Sequence, residues 1–238
     1  MATMVSRPVR ARIDDYFFAG MSLVILASVF LGFAHSYFLA GVIHTPLPSQ
    51  IIHIHAVVFS AWILLLIAQT TLVSIGKVAW HMKLGILGAG LACLVVIFGV
   101  MAIVDSTKRH FAPPGLDAGT FLALDLAEMA IFGFLISWGL LVRRDAAAHK
   151  RLVMLATSVM MFAPVNRWPF DFIKSVPPST SLIVCAFPAS IIVFDLLTRR
   201  RVHRVTVWGS LLIILMVPAM FALGHSPFWR HFTAWVQQ

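Results

Sequence analysis

The sequence predicts an all-α integral membrane bundle of seven transmembrane helices, and three observations predict it. Of 238 residues, 60% are hydrophobic and only 11% are charged, whereas about a quarter of a soluble domain is charged. The apolar residues gather into runs long enough to cross a bilayer as helices, which takes about 20 residues each. The basic residues sit in short clusters between those runs, which is how membrane topology is written. The mean hydropathy of +0.93 agrees. The net charge of +9 therefore reads as orientation in a lipid bilayer, with no nucleic-acid partner.

Seven runs follow in order, at roughly 16–41, 51–75, 82–104, 119–142, 149–166, 179–198 and 206–223. The first follows a basic segment with Arg7, Arg10 and Arg12 and is too long for a signal-peptide core, so it reads as a retained span. The second carries His53, His55, Trp62 and Gln69. The third and fifth begin at His81-Met82-Lys83 and His149-Lys150-Arg151, and a similar His203-Arg204-Val205 precedes the seventh, hinting at a hairpin used three times. The fourth holds Asp125 and Glu128. Pro164, Pro188 and Pro218 fall in or near the ends of the last three spans, where the missing N–H predicts kinks. Beyond the seventh, Ser226-Pro227 opens a short aromatic segment through Trp229, Phe232 and Trp235, expected as an interfacial helix. Connections are short, so neighbours pack as antiparallel hairpins in one domain, 1–238.

Alternate loops divide the eighteen Lys and Arg residues thirteen to five. The richer side places the N-terminus in the cytoplasm and the C-terminal helix outside, in the inner cell membrane. The other side has the turn formers: Thr45-Pro46-Leu47-Pro48, Pro113-Pro114-Gly115, and Trp168-Pro169 through Pro177-Pro178.

Several chemistries are missing from the chain. No Walker loop, GxSxG, HExxH or dinucleotide glycine pattern occurs. The seventh span has no lysine for a retinal Schiff base. Cys93 and Cys185 lie apart inside apolar runs, and the eleven methionines show no ligand spacing, so both types read as packing.

Polar side chains inside a bilayer must pair or face a cavity, and they fall into two layers. His53 and His55 point to nearly opposite sides of a helix, because each residue turns it by about 100°. His55 instead shares a seven-residue stripe with Trp62 and Gln69, which is expected to face the interior. Asp125 and Glu128 share one face of the fourth span. Counted from the outer ends, His35, His55 and Asp125 lie roughly 6–9 Å deep, and Arg167 closes the fifth span at that side. His35, His55, Asp125 and Glu128 are thus candidate ligands for a divalent metal. The same group, with Arg167 polarising an oxygen, suits a proton-linked quinone site. It equally suits a buried network that fixes helix packing.

In the other layer, His81 and His149 begin spans at the cytoplasmic boundary, where they would face one another across a haem b. Lys83, Lys150 and Arg151 would neutralise its propionates.

The His-Ile-His of the second span, Trp80-His81-Met82-Lys83-Leu84-Gly85, His149-Lys150-Arg151-Leu152 and Asn166-Arg167-Trp168-Pro169 together resemble a family of uncharacterised multi-pass bacterial membrane proteins. More loosely, the His-bearing helices resemble transmembrane cytochromes b and membrane factors for haem-copper oxidase assembly. In the cytochromes, four histidines on four helices bracket two haems. That resemblance matches His81 and His149 to the inner pair, while the fourth span carries Asp125 and Glu128 where the outer pair would need a histidine. The leading expectation is a membrane redox protein, binding haem or handling quinone. Two alternatives stand beside it: an accessory or assembly subunit packed against partner subunits of a larger membrane complex, and a metal-dependent hydrolase.

Overall fold

The computed structural model describes residues 9–44, 49–113, 115–175 and 179–238, without the side chains at 9–12, 43, 174 and 175. Arg7, the side chains of Arg10, Arg12 and Lys174, the turn formers at 45–48, Pro114 and Pro177-Pro178 lie outside that set. Among the described residues every regular element is helical: α1 (Val9–Phe33), a π-helical turn (Ala34–Phe38), α2 (Ala40–Ile43), α3 (Gln50–Ser74), α4 (Val78–Lys108), α5 (Ala118–Leu141), α6 (Ala146–Val159), α7 (Phe162–Val165), α8 (Asp171–Ser175), α9 (Ser179–Arg199), α10 (Arg204–Gly224) and α11 (Pro227–Val236).

Among the described residues, six helical stretches are long and apolar enough to cross a membrane: Ile13–Val42, Gln50–Ser74, Val78–Lys108, Ala118–Leu141, Ser179–Arg199 and Arg204–Gly224. Their outer faces carry Ile86, Leu141 and Leu197, each 78–81% exposed. Leaving such side chains in water forgoes about 1.5–3 kcal/mol apiece, and lipid removes that penalty.

The expected span 149–166 takes a different form. α6 is only fourteen residues long, breaks at Met160-Met161, and resumes as the single turn α7. Pro164 explains the break: it has no N–H for the Met160 carbonyl, and its ring crowds that same carbonyl. α6 is also the least apolar of the long segments, and it lies in the middle of the bundle against α1, α5, α9 and α10. Leu152, Leu155, Ala156 and Val159 are completely buried there. α1 meets the broken segment closely: a Cβ on Gly32 would overlap the backbone carbonyl of Pro164.

The hairpin expectation holds for α3 with α4, α5 with α6 and α9 with α10, which pack pairwise. Side-chain caps set several starts. Asp117 accepts from Thr120 N–H at 3.0 Å to open α5, and Asp145 accepts from Ala147 and Ala148 to open α6. Ser226 accepts from Trp229 N–H with Pro227 in the first turn of α11, as its sequence predicts. α9 and α10 run on through Pro188 and Pro218.

Ionic contacts lock one end of the bundle. The fully buried Arg151 places its Nε 3.1 Å from both carboxylate oxygens of Asp195, and its Nη2 bonds the same group. Asp195 also accepts from His203 N–H at 3.0 Å and from Thr206 Oγ1 at 3.1 Å. Beside it, Asp14 receives Arg199 at 2.7 Å and Lys150 at 3.0 Å. This basic end ties α1, α6, α9 and α10 together. At the distal end, Trp168 donates to the Ser28 carbonyl at 3.1 Å. Trp229 donates to the Gly119 carbonyl at 2.9 Å, seating α11 on the first turn of α5.

Candidate functional site

Among the described residues, a cavity lies between the helices toward each end. The cavity at the distal end, about 350 Å³, is lined by His55 of α3, Asp125 and Glu128 of α5, and Arg167 after α7. His55 and Asp125, matched in depth, thus meet Glu128 and Arg167 at one wall. Asp125 and Glu128 stand three residues apart, and one α5 face presents both. Glu128 is 4% exposed. Among the described residues, no side chain or backbone group donates to either carboxylate. Arg167 gives one N–H to the Ala163 carbonyl at 2.8 Å and lays its guanidinium 5.1 Å from the centre of the Phe33 ring. His55 packs on Phe59 with ring centroids 4.1 Å apart, and its buried Nδ1 has no partner. Phe33, Phe59, Ile63, Met129 and Met160 make much of the remaining wall.

His35 does not join this wall. It lies in the π-helical turn and is exposed, while Ser36 and Tyr37 face the cavity instead. The wider π turn shifts the angular register of a helix, and the depth estimate assumed a regular one. His53 turns away from His55, as helical geometry requires, and pairs its Nδ1 with the Tyr37 hydroxyl at 3.1 Å. No group of three or more His, Cys, Asp or Glu among the described residues is placed to hold a metal ion.

The cavity toward the basic end, about 720 Å³, brings His81 of α4 and His149 of α6 together. Their ring centroids are 6.3 Å apart and their planes cross at 78°. The Gly139 carbonyl accepts from Nδ1 of His149 at 2.8 Å. A carbonyl has no proton to give, so Nδ1 carries the hydrogen and Nε2 keeps its lone pair. The buried Nδ1 of His81 and Oε1 of Gln69 are without hydrogen-bond partners. Gly85 and Gly88 line the same space, where side chains would narrow it.

The interior stripe of α3 divides between the cavities: His55 faces the distal one, Trp62 and Gln69 the basic one. Between them Trp62 donates to Thr157 Oγ1 at 3.2 Å and meets Phe132 edge-on at 5.2 Å. Adjacent residues of α3, Trp62 and Ile63, line different cavities.

The basic residues expected near His81 and His149 are rearranged. Arg151 is consumed by Asp195, and Lys83 sits over the exposed Trp80 ring, 5.3 Å from its centre. Lys150 does line the cavity, joined by Arg143 and Arg144, which sequence reasoning counted only toward topology. His203 departs from the two histidines it resembles in sequence. It caps α10, accepting from Val205 N–H at 3.4 Å, and does not line the basic-end cavity.

No family model matches this chain, and no curated protein or solved structure matches it.

Proposed function

We propose that the protein is a membrane electron-transfer protein that binds one b-type haem between His81 and His149. The observation that carries this reading is the spacing of the two imidazoles. A metal–imidazole bond is about 2 Å long, so two rings sharing one ion from opposite sides hold their centroids roughly 6 Å apart; the 6.3 Å found here fits that separation. The donor set agrees with it. Gly139 fixes the tautomer that leaves Nε2 of His149 available, as an outer hydrogen bond does for a metal-bound histidine. A cavity of about 720 Å³ lies within the range of cofactor pockets. Arg143, Arg144 and Lys150 stand on its wall to neutralise propionates.

When bound, haem supplies an iron that gains and loses one electron. The chain supplies the rest: two nitrogen ligands, a low-dielectric enclosure of helices, and basic side chains at one rim. Lys150 reaches Asp14 at 3.0 Å and Asp15 at 3.7 Å, so the charge of that rim is already partly balanced.

In the same reading α6 and α7 together make a seventh, interrupted crossing, which carries the chain from the basic end back to the distal end. The thirteen-to-five division of Lys and Arg supports a cytoplasmic N-terminus, the basic end inside and α11 outside, in a bacterial inner membrane. An interrupted helix at membrane depth is tolerated where it is buried in protein or lines a cavity, and α6 packs against α1, α5, α9 and α10 and borders the basic-end cavity.

The test is an absorption spectrum of protein purified in detergent from haem-replete cells. A Soret band that shifts on dithionite reduction, with one iron per chain, is expected. Protein that stays colourless after incubation with haem overturns the reading.

A further inference from the structure

The distal cavity has no role in binding haem between His81 and His149, yet it holds four polar groups that the fold does not pair with one another. Glu128 is 4% exposed, and both it and Asp125 face the cavity with no hydrogen-bond donor among the described residues. A buried carboxyl without a hydrogen-bond partner costs several kcal/mol when ionised and about 1–3 kcal/mol when neutral, so either form calls for a partner that the described residues do not supply.

Electrostatics narrows the class. A cationic ligand would meet the guanidinium of Arg167, and an anionic one would meet two carboxyls. A neutral ligand with a hydrogen-bonding oxygen at either end avoids both penalties. The apolar wall from Phe33, Phe59, Ile63 and Met129 suits a ring as its body. Entry is consistent with a lipid-borne molecule. Ser36, Tyr37 and Phe38 of the π-helical turn border the cavity, and Phe38 stacks on the outward-facing Phe30 at 5.5 Å between ring centroids. π-helical turns recur at functional sites.

We infer that the distal cavity binds the headgroup of a lipid-soluble quinone, with Arg167 donating to one ring oxygen and the acid O–H groups of Glu128 and Asp125 donating to the other. The Arg167 guanidinium carries more N–H groups than its bond to Ala163 uses. The choice of a redox-active ring over another neutral ligand rests on the haem reading; the cavity and its four polar groups do not.

Equilibrium dialysis of the full-length protein in lipid nanodiscs against a decyl-substituted benzoquinone tests this. Haem content is read on the same samples, so the two readings fail separately. Saturable binding near one per chain is expected, weakened at least tenfold in Glu128→Leu and in Arg167→Met. Absence of saturable binding to the wild type overturns the inference even if the protein is red. Unchanged affinity in Glu128→Leu also overturns it, and this variant of similar size decides alone if Arg167→Met does not elute as a single species. Glu128-dependent binding to colourless protein supports the quinone site and counts against the haem only.

Discussion

The imidazoles of His81 and His149 face one another with centroids 6.3 Å apart, although 68 residues separate them in the chain. Their approach depends on α6 being held in the centre of the bundle. The residues just after His149 do that holding: Lys150 reaches Asp14 on α1, and Arg151 reaches Asp195 on α9. The ionic lock and the candidate ligand therefore occupy one turn of one helix.

Arg151→Met leaves the Asp195 carboxylate buried without its main partner, which costs about 3–5 kcal/mol. Thermal unfolding in detergent is expected to show a large loss of stability. Arg151→Met combined with Asp195→Asn removes the stranded charge while keeping acceptors for His203 N–H and Thr206. This double variant is expected to melt above the single one. Equal melting temperatures for wild type and Arg151→Met would show that the lock contributes nothing.

Gly32 allows α1 to touch the backbone of α7. A Cβ there overlaps the Pro164 carbonyl, whereas a Cβ on Gly20 meets nothing within 4 Å. Gly32→Ala forces a backbone to shift, at a cost of about 1–3 kcal/mol. Gly20→Ala is expected to be neutral or slightly stabilising through helix propensity. Melting curves of the pair check this, and similar curves would place the close approach elsewhere.

Burial holds the His203 imidazole below its usual pKa of 6.5. Arg151 and Arg199 push it the same way, while Asp145 and Asp195 oppose them. The unfolded chain therefore takes up a proton at a higher pH than the folded chain does. Stability from this residue is complete above about pH 6.5 and declines as the pH falls below that value, toward the folded pKa. His203→Asn retains a capping acceptor for α10 and removes the titration. Between about pH 7.5 and 5.5, the wild type is expected to lose more melting temperature than His203→Asn. Parallel losses would assign the acid sensitivity to other groups.

Much of this arrangement is legible in the sequence because a membrane restricts where polar residues can go. Apolar runs of bilayer length mark the helices; depth counting brings His55 and Asp125 to one level, the three-residue spacing adds Glu128, the outer end of the fifth run adds Arg167, and a single cavity gathers these four. Depth also pairs His81 with His149. Partners chosen by tertiary packing are harder to read. Arg151 looks like a topogenic charge or a partner for haem propionates, and only an acid inside the sixth apolar run, Asp195, signals that a buried cation must meet it. Pro164 marks a disturbance, but the run 149–166 does not reveal that the helix stops at Val159. His35 misses the cavity because a π-helical turn leaves no period in the sequence to detect. Gln69 lies on the stripe of His55, yet about 21 Å of helix rise carries it to the other cavity.

The account rests on one pair of ligands, and haem titration of purified wild type, His81→Ala and His149→Ala tests that pair most directly. The wild type is expected to give the spectrum of a six-coordinate, low-spin haem, and each alanine variant to give a five-coordinate, high-spin spectrum or to bind no haem. Variants that elute as the wild type does and keep its low-spin spectrum would contradict the assignment of His81 and His149.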